Sequence, residues 1–343
     1  MVTGFVFDWL TLRRVDLLCE NLWLLTLLFL AALGILALNY YYQRQPIARL
    51  EYRHYSFHFW LIFVIQFAFG GLLSSFLVLY FRSAALVTAW PFLLLLLATF
   101  IGNELFKERY AQLSYQVGVL FLAVFAFTIF AVPVLIHRVG DSIFLLSGLV
   151  SLAAIAGFGA LLRRLNRAYY LANRRRLVVI VLGLFALINL LYFSNLIPPI
   201  PLSLKAAGIY HQVVRRAAGN YNALVERERW FDFLRLYQPI SLSSGQSLYA
   251  YSAVFSPTKL NTAIVHEWER YDGERGEWLA AGRVDLPIIG GRDGGYRTYS
   301  YRSSLTPGLW RVKVETARGQ LIGRIKFRVT SDEASATAWQ VLD

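Results

Sequence analysis

The sequence has little cysteine and little charge, and each scarcity excludes a class of protein. Cys19 is the only cysteine, so an intrachain disulfide and a cysteine-rich metal or redox site are excluded. Only 16% of the 343 residues are charged, whereas a typical soluble protein has about 25%. Because 57% of the residues are hydrophobic, the apolar excess requires a lipid environment.

Catalytic motifs are also missing. The sequence has no His-Glu-x-x-His, no Gly-x-Ser-x-Gly, no Gly-Lys-Ser/Thr phosphate loop and no pair of Cys-x-x-Cys, which weakens an enzymatic interpretation. On a strand, the cluster His266-Glu267-Trp268-Glu269 would alternate between two faces, so its four side chains cannot converge on one ion. We therefore predict no catalytic residue, metal or cofactor, and favour a binding protein over an enzyme.

Six apolar runs fill the first 200 residues, and none of them contains Asp, Glu, Lys or Arg. Each run is close to the ~20 residues that cross a hydrocarbon core. The runs are 22–38, 57–81, 84–102, 117–136, 143–162 and 177–193. They predict an α-helical membrane bundle of about six spans over 21–197, and residues 1–20 resemble an interfacial amphipathic segment.

Basic residues lie mostly in the loops after the first, third and fifth runs. Eleven Lys and Arg occur there, against four on the opposite side before residue 200. By the positive-inside rule, the N-terminus and the C-terminal module therefore lie outside the cytoplasm. The formal charge is +13, and many arginines flank apolar runs, where anionic lipid headgroups would meet them. The lipid bilayer, rather than a nucleic acid, is the expected partner.

Beyond the last run the pattern changes twice. Three prolines between residues 198 and 201 favour a stiff exit, and residues 205–237 have a helical pattern, so a proline-rich exit and juxtamembrane helix are predicted over 198–246. From Ser247 onward the apolar period becomes two, which is typical of strands. The predicted strands are 248–255, 261–271, 277–287, 296–303, 309–316 and 321–329. Short strands at this spacing predict an all-β, immunoglobulin-like sandwich over 247–343.

The last predicted hairpin has a definite register. A two-residue turn at Arg318-Gly319 would pair Trp310 with Phe327 on an apolar face. On the other face, the same register places cations opposite one another: Arg311, Lys313, Arg324 and Lys326. Like charges directly opposite are destabilising, so this face requires acidic neighbours, solvent or an anionic partner.

A second candidate ligand site is the glycine-rich stretch at residues 290–295. Its backbone amides could form an anion-binding nest, and such a site would include Arg292, Asp293, Tyr296 and Arg297. A structural turn that requires positive φ would explain the same glycines, and core packing would explain many of the nearby aromatic residues. Both interpretations remain open.

Several motifs occur in order in the C-terminal part: Pro198-Pro-Ile-Pro-Leu-Ser-Leu, Gly208-Ile-Tyr-His, His266-Glu-Trp, Gly290-Gly-Arg-Asp-Gly-Gly-Tyr-Arg, Pro307-Gly-Leu-Trp-Arg-Val, Thr316-Ala-Arg-Gly-Gln and Ile322-Gly-Arg. With these motifs the chain resembles bacterial membrane proteins that end in the domain of unknown function 2914, over roughly residues 195–330. The resemblance implies a bacterial inner-membrane protein with an extracytoplasmic β module. It implies no activity and no catalytic residue.

These observations favour a non-enzymatic membrane protein whose β module binds an envelope glycan, an anionic lipid or a membrane-protein partner. One alternative is an enzyme or transporter for a lipid-linked substrate, which predicts a polar cavity that includes Gln66, Asn189 or Glu104. Another is an accessory subunit of a larger membrane complex.

Overall fold

The computed structural model describes residues 2–12, 17–44, 52–83, 86–105, 112–199, 201–216, 220–226, 237–243, 245–256, 262–288, 292–331 and 337–342. The chain forms two compact units, one of residues 1–82 and 86–200 and the other of residues 201–343 together with 83–85. The first is helical and the second consists of strands; we call them the helical unit and the β unit. The predicted order, a membrane-type helical bundle followed by an all-β region, is confirmed.

Seven helices lie in the described part of the helical unit: α1 (Val2–Thr11), α2 (Leu18–Arg44), α3 (Tyr52–Ser83), α4 (Leu86–Leu105), α5 (Leu113–Ile136), α6 (Asp141–Leu165) and α7 (Arg167–Phe193). Five of them, α2, α3, α5, α6 and α7, are long and apolar enough to cross a membrane. The third predicted span corresponds to α4, which is a shorter apolar helix. A crossing by α4 therefore stays a prediction.

Helix α5 is the core of the helical unit. It carries no charged residue and is buried along most of its length, as expected for a helix that is apolar on all sides. The Tyr80 hydroxyl of α3 donates to the Ala126 carbonyl across 2.8 Å. The Asn39 amide of α2 donates to Gln116 Oε1 across 3.3 Å. These two hydrogen bonds join neighbouring helices, which is a common role of polar side chains in a bilayer.

Helix α1 packs with its one charged residue inward. Asp8 is buried, and the Ser75 hydroxyl of α3 donates to its carboxylate across 3.4 Å. The Arg82 guanidinium donates to the Trp9 and Leu12 carbonyls at the C-terminal end of α1. A helix lying on the membrane surface would turn a charged side chain towards water. The burial of Asp8 therefore differs from the amphipathic pattern expected of residues 1–20, of which 13–16 lie outside the described residues.

Eleven strands lie in the described part of the β unit: β1 (Ser203–Tyr210), β2 (Gln212–Arg215), β3 (Tyr221–Glu226), β4 (Gln238–Ser241), β5 (Ser247–Ser256), β6 (Thr262–Asp272), β7 (Glu277–Ile288), β8 (Arg292–Ser303), β9 (Gly308–Thr316), β10 (Leu321–Thr330) and β11 (Thr337–Leu342). Strands β5 to β10 correspond closely to the six predicted strands.

The predicted juxtamembrane helix is wrong for the described residues between 205 and 226, which form β1, β2 and β3. Burial along β3 alternates strictly from Tyr221 to Glu226, which is the period of a strand with one covered face. Strand β1 pairs with the distant β5, so long-range pairing overrides the local helical pattern. Residues 227–236 lie outside the described part of the chain.

The strands form three layers. A five-stranded front sheet has the order β4-β10-β9-β6-β7, a middle sheet has the order β1-β5-β8, and a back sheet has the order β11-β3-β2. Apolar residues of the front and middle sheets, including Trp268, Phe327 and Leu248, share one buried cluster. A second cluster, including Ala223 and Tyr251, joins the middle and back sheets. The front and middle sheets are the predicted sandwich, and the back sheet adds a layer that was not predicted.

The register predicted for the β9–β10 hairpin is confirmed, although its loop is longer than predicted. Trp310 pairs with Phe327. The Thr316 N–H donates to the Gln320 carbonyl across 2.9 Å, so the loop has three residues rather than two. An irregularity in the ladder after Leu321 compensates for the additional residue and restores the predicted pairing.

Candidate functional site

Six charged residues form two rows across the outer face of the front sheet, Arg324-Lys313-Glu267 and Lys326-Arg311-Glu269. Within each row, neighbours are directly opposite on adjacent strands, in the order β10, β9, β6. We call these six residues the charged face. The prediction that cations of β9 and β10 lie opposite one another is confirmed, and the acidic neighbours that such an arrangement requires come from β6.

The cations of β9 are paired with the carboxylates of β6. The Lys313 Nζ lies 2.7 Å from Glu269 Oε1 and 3.1 Å from Glu267 Oε2. The Arg311 guanidinium donates to Glu269 and lies over the Trp278 ring, 4.2 Å from its centroid. These pairs are largely buried, so each charge depends on its partner much more than it would in water.

The pKa shifts on the charged face follow from this pairing. Burial by itself would raise the pKa of Glu269, but the hydrogen bonds and charges of Arg311 and Lys313 hold that pKa below its usual value. Burial likewise opposes the charge of Lys313, yet Glu269 and Glu267 raise the pKa of its ammonium group. Both partners are therefore charged near neutral pH.

The cations of β10 are in a different position. Burial, and then repulsion by Arg311, lowers the pKa of Arg324. The Nε of Arg324 is buried and has no hydrogen-bond partner among the described residues. The Lys326 ammonium lies 5.6 Å from the centroid of the Tyr237 ring. Because β9 separates β10 from the carboxylates of β6, the positive charge of this face is, among the described residues, least compensated at Arg324 and Lys326.

The described part of the glycine-rich stretch belongs to β8 of the middle sheet. The side chains of Arg292 and Asp293 lie outside the described residues. Gly295 has a φ of +85°, and a Cβ there would meet the carbonyl carbon of Ala253 at 3.0 Å, so this position requires glycine for structural reasons. Tyr296 is half-buried and pairs with Val254 of β5.

Arg297 belongs to the contact between the middle and back sheets. Its guanidinium donates to Asn220 Oδ1 across 3.4 Å, beside β3, and its carbonyl accepts the Tyr221 hydroxyl of that strand. Arg297 is on the middle sheet, whereas Arg311, Lys313, Arg324 and Lys326 are on the front sheet. The predicted residues whose side chains are described therefore lie on two sheets, and among them the hairpin residues form a cluster of charge.

His266 is fully buried between the front and middle sheets. Its Nε2 lies 2.8 Å from the Ser252 hydroxyl and its Nδ1 lies 2.9 Å from the Ser300 hydroxyl. The Trp268 indole N–H also donates to Ser300, across 3.0 Å. Burial lowers the pKa of His266 to about 4, so the imidazole is neutral. The contacts among His266, Ser252, Ser300 and Trp268 thus form a buried hydrogen-bond network between the two sheets.

His266 and Trp268 point inward and Glu267 and Glu269 point outward, as predicted from the strand period. Across the described residues, no group of three or more His, Cys, Asp or Glu is placed to hold a metal ion.

The cavities of the helical unit bear on the transporter hypothesis. A cavity of about 720 Å³ lies between α1, α3 and α4, and one of about 350 Å³ lies between α4, α5 and α7. Neither includes Gln66, Asn189 or Glu104. The Asn189 amide instead donates to the Phe185 carbonyl of its own helix, across 2.8 Å. These two cavities therefore lack the polar side chains that an enzyme or transporter was expected to place there.

The acidic partners on β6 were the part of the site that the sequence analysis missed. Strands β6 and β9 are neighbours in space but are separated in sequence by β7 and β8. The available signal was the matching spacing of Glu267-x-Glu269 and Arg311-x-Lys313, which aligns opposite charges on two antiparallel strands.

Comparison with known families identifies the segment that carries this face. Residues 261–329 match the family described as "Protein of unknown function (DUF2914)". The predicted resemblance is thus confirmed for this C-terminal segment, which contains all six residues of the charged face. No curated protein sequence matches the chain.

Similar solved structures include an immunoglobulin-like protein, PA1606, from Pseudomonas aeruginosa, with 10% identity and a TM-score of 0.22, covering 38% of this chain and 96% of that one. A β-glucosidase from Listeria innocua has 12% identity and a TM-score of 0.21, covering 34% and 17% respectively. The alkylpurine DNA glycosylase AlkC of Pseudomonas fluorescens, bound to DNA containing an abasic site analog, has 9% identity and a TM-score of 0.23, covering 93% and 100%. Similarity at this level carries no inference about function.

Proposed function

We propose that this chain is a bacterial inner-membrane protein whose β unit lies outside the cytoplasm and binds an anionic component of the cell envelope, without catalysing a reaction. The observation that carries the proposal is that Arg324 and Lys326 lie directly opposite the cations Lys313 and Arg311, while the carboxylates of β6 pair with β9. An acidic glycan, an anionic lipid headgroup or an acidic protein segment shares the required chemistry.

An anion at Arg324 and Lys326 would correct two unfavourable features at once. It would give the Arg324 guanidinium a charge-assisted hydrogen bond, and it would offset the repulsion between cations that face one another on β9 and β10. Glu267 and Glu269 are already engaged with β9, so they do not compete for the β10 cations. This arrangement favours an external anion over an internal rearrangement.

The proposed location rests on the distribution of basic residues and on α4. At ~1.5 Å per residue, the 20 residues of α4 extend over about 30 Å, the thickness of a hydrocarbon core. If α4 crosses the membrane, the chain has six spans. An even number of spans places the N-terminus and the β unit on the same side of the membrane. Arg163, Arg164 and Arg167 lie at the α6–α7 connection, which the positive-inside rule assigns to the cytoplasm.

Cysteine labelling tests this topology because Cys19 is the only native cysteine. In a Cys19→Ser background, Glu274→Cys places a thiol in the exposed β6–β7 turn and Arg164→Cys places one at the exposed end of α6. A membrane-impermeant maleimide added to intact spheroplasts should label Glu274→Cys and leave Arg164→Cys unlabelled. The reverse result would contradict the proposed orientation.

Binding is tested with the full-length protein in uncharged nanodiscs and dextran sulfate as a soluble polyanion. We expect salt-sensitive binding that the Arg324→Gln/Lys326→Gln variant weakens about thirtyfold, because each surface cation contributes about 1 kcal/mol. Neutral dextran should not bind.

The matched control is Arg270→Gln/Arg275→Gln, which removes the same charge from the exposed β6–β7 hairpin. Binding by this variant should equal that of the wild type. An equal loss in both double variants would indicate a general charge effect and would contradict a site on the charged face.

A further inference from the structure

The cavity of about 720 Å³ between α1, α3 and α4 is an apolar groove. Its walls include Trp9 of α1, Leu77 and Phe81 of α3, and Trp90 and Leu94 of α4. Ten residues line it and all are hydrophobic. Along α4 the lining runs from Trp90 to Leu97, roughly 10 Å of helix, or about a third of a hydrocarbon core.

The cation Arg82 lies beside the groove. Arg82 directly follows the lining residue Phe81, and its guanidinium lies over the Trp9 ring, 5.1 Å from the centroid. The Nη1 of Arg82 donates to the Leu12 carbonyl across 2.6 Å, and Nη2 donates to the Trp9 carbonyl. A guanidinium has five N–H donors, so this side chain is held in place while it retains donors for an anion.

We propose that this groove holds one acyl chain of an anionic phospholipid whose phosphate binds Arg82. Helix α3 is one of the five helices that are long and apolar enough to cross a membrane, so the groove beside it faces hydrocarbon rather than water. A wall made of aliphatic and aromatic side chains fits an acyl chain, and the exposed Arg82 fits the phosphate to which that chain is attached.

Asp8 accounts for the position of α1 in this site. Its buried carboxylate accepts a hydrogen bond from Ser75 of α3, and Arg82 of the same helix donates to the carbonyls of the adjacent Trp9 and of Leu12. Two polar contacts therefore fix α1 against α3, and α1 supplies one wall of the groove. The site is independent of the charged face of the β unit.

Tryptophan quenching by brominated lipids tests the proposal, because Trp90 lies in the groove and Trp60 of α3 is equally exposed, at 59%, but does not line it. The full-length protein is reconstituted in phosphatidylcholine with increasing fractions of brominated phosphatidylglycerol. We expect part of the tryptophan quenching to saturate at a low fraction of brominated phosphatidylglycerol. This saturable part should be smaller in the Trp90→Phe variant and unchanged in the Trp60→Phe variant.

A second pair of variants tests the headgroup contact. Arg82→Gln should raise the lipid fraction for half-maximal quenching about fivefold, as expected for one cation near the surface. Arg138→Gln, which removes another exposed arginine, should leave it unchanged. Leu94→Phe/Leu97→Phe, which fills the groove and keeps Arg82, should also remove the saturable component. Equal quenching in Trp90→Phe and Trp60→Phe, or equal quenching by brominated phosphatidylcholine, would overturn the proposal.

Discussion

Along β6, successive side chains point alternately towards the middle sheet and towards the outer face of the front sheet. Their polar groups find different kinds of partner on the two sides. Towards the middle sheet, His266 is neutral and bonds to the hydroxyls of Ser252 and Ser300. Towards the outside, Glu269 is also buried, yet it is charged and pairs with Arg311 and Lys313. A buried side chain of β6 is therefore charged only where the adjacent strand supplies the opposite charge.

The largest expected effect comes from removing the shared anion of the outer face. Glu269→Gln leaves Arg311 and Lys313 without their common partner, and breaking a buried ion pair costs about 3–5 kcal/mol. We expect the free energy of unfolding of the full-length protein in detergent to fall by that amount in urea titrations. Glu269→Gln/Arg311→Met should recover part of the loss, because no unpaired guanidinium remains. A loss below about 1 kcal/mol in the single variant would contradict the pairing.

A pH titration tests the inner face. The pKa of His266 is about 4 in the folded protein and 6.5 in an unfolded chain, so the unfolded state binds a proton first as the pH falls. This contribution to stability is complete above pH 6.5 and is lost between pH 6.5 and about 4, to a total of about 3 kcal/mol. His266→Gln should be less stable at pH 7, and its stability should change less than that of the wild type across this interval. Parallel profiles would show that His266 is not the group responsible.

A smaller effect is expected from packing on the inner face. A Cβ at Gly323 would lie 2.1 Å from a terminal methyl carbon of Leu204 in the middle sheet. Because the Leu204 side chain can shift, we expect Gly323→Ala to cost about 1–3 kcal/mol in the same urea titrations. Leu204→Ala in the same protein should relieve the clash, so the double variant should be less destabilised than the sum of the two single variants. Additive losses would contradict this contact.

Much of the fold could be predicted because local patterns carry it. The uncharged runs of the helical unit and the period-two segments from β5 to β10 each appear within a window of about 10–20 residues. Strands β1 and β3 could not be recognised in this way, because each has a distant partner: β1 pairs with β5, and β3 pairs with β11 as well as with its sequence neighbour β2. A residue such as Ala206 favours a helix locally and is overruled by pairing.

Of the candidate site, the cations could be predicted from the sequence, but their acidic partners could not. The register of β9 with β10, and therefore the row of cations, follows from the turn signal and the apolar alternation. The placement of Glu267 and Glu269 beside β9 depends on the order of strands in the front sheet, which a single sequence does not specify. The packing of Asp8 and Arg82 between α1 and α3 likewise depends on which helices are neighbours, and a single sequence does not specify this.

The parallel pairing of β4 with β10 has a practical consequence for isolating the family segment. Residues 261–329 hold the consecutive strands β6 to β10, of which all but β8 belong to the front sheet. Strand β4 completes that sheet, and β1 and β5 of the middle sheet help to cover its apolar face. A fragment cut at the limits of the family match would expose Trp268 and Phe327 to water and leave one edge of β10 open to intermolecular pairing. The smallest fragment that keeps all three sheets intact begins near Pro201, about 60 residues before the match.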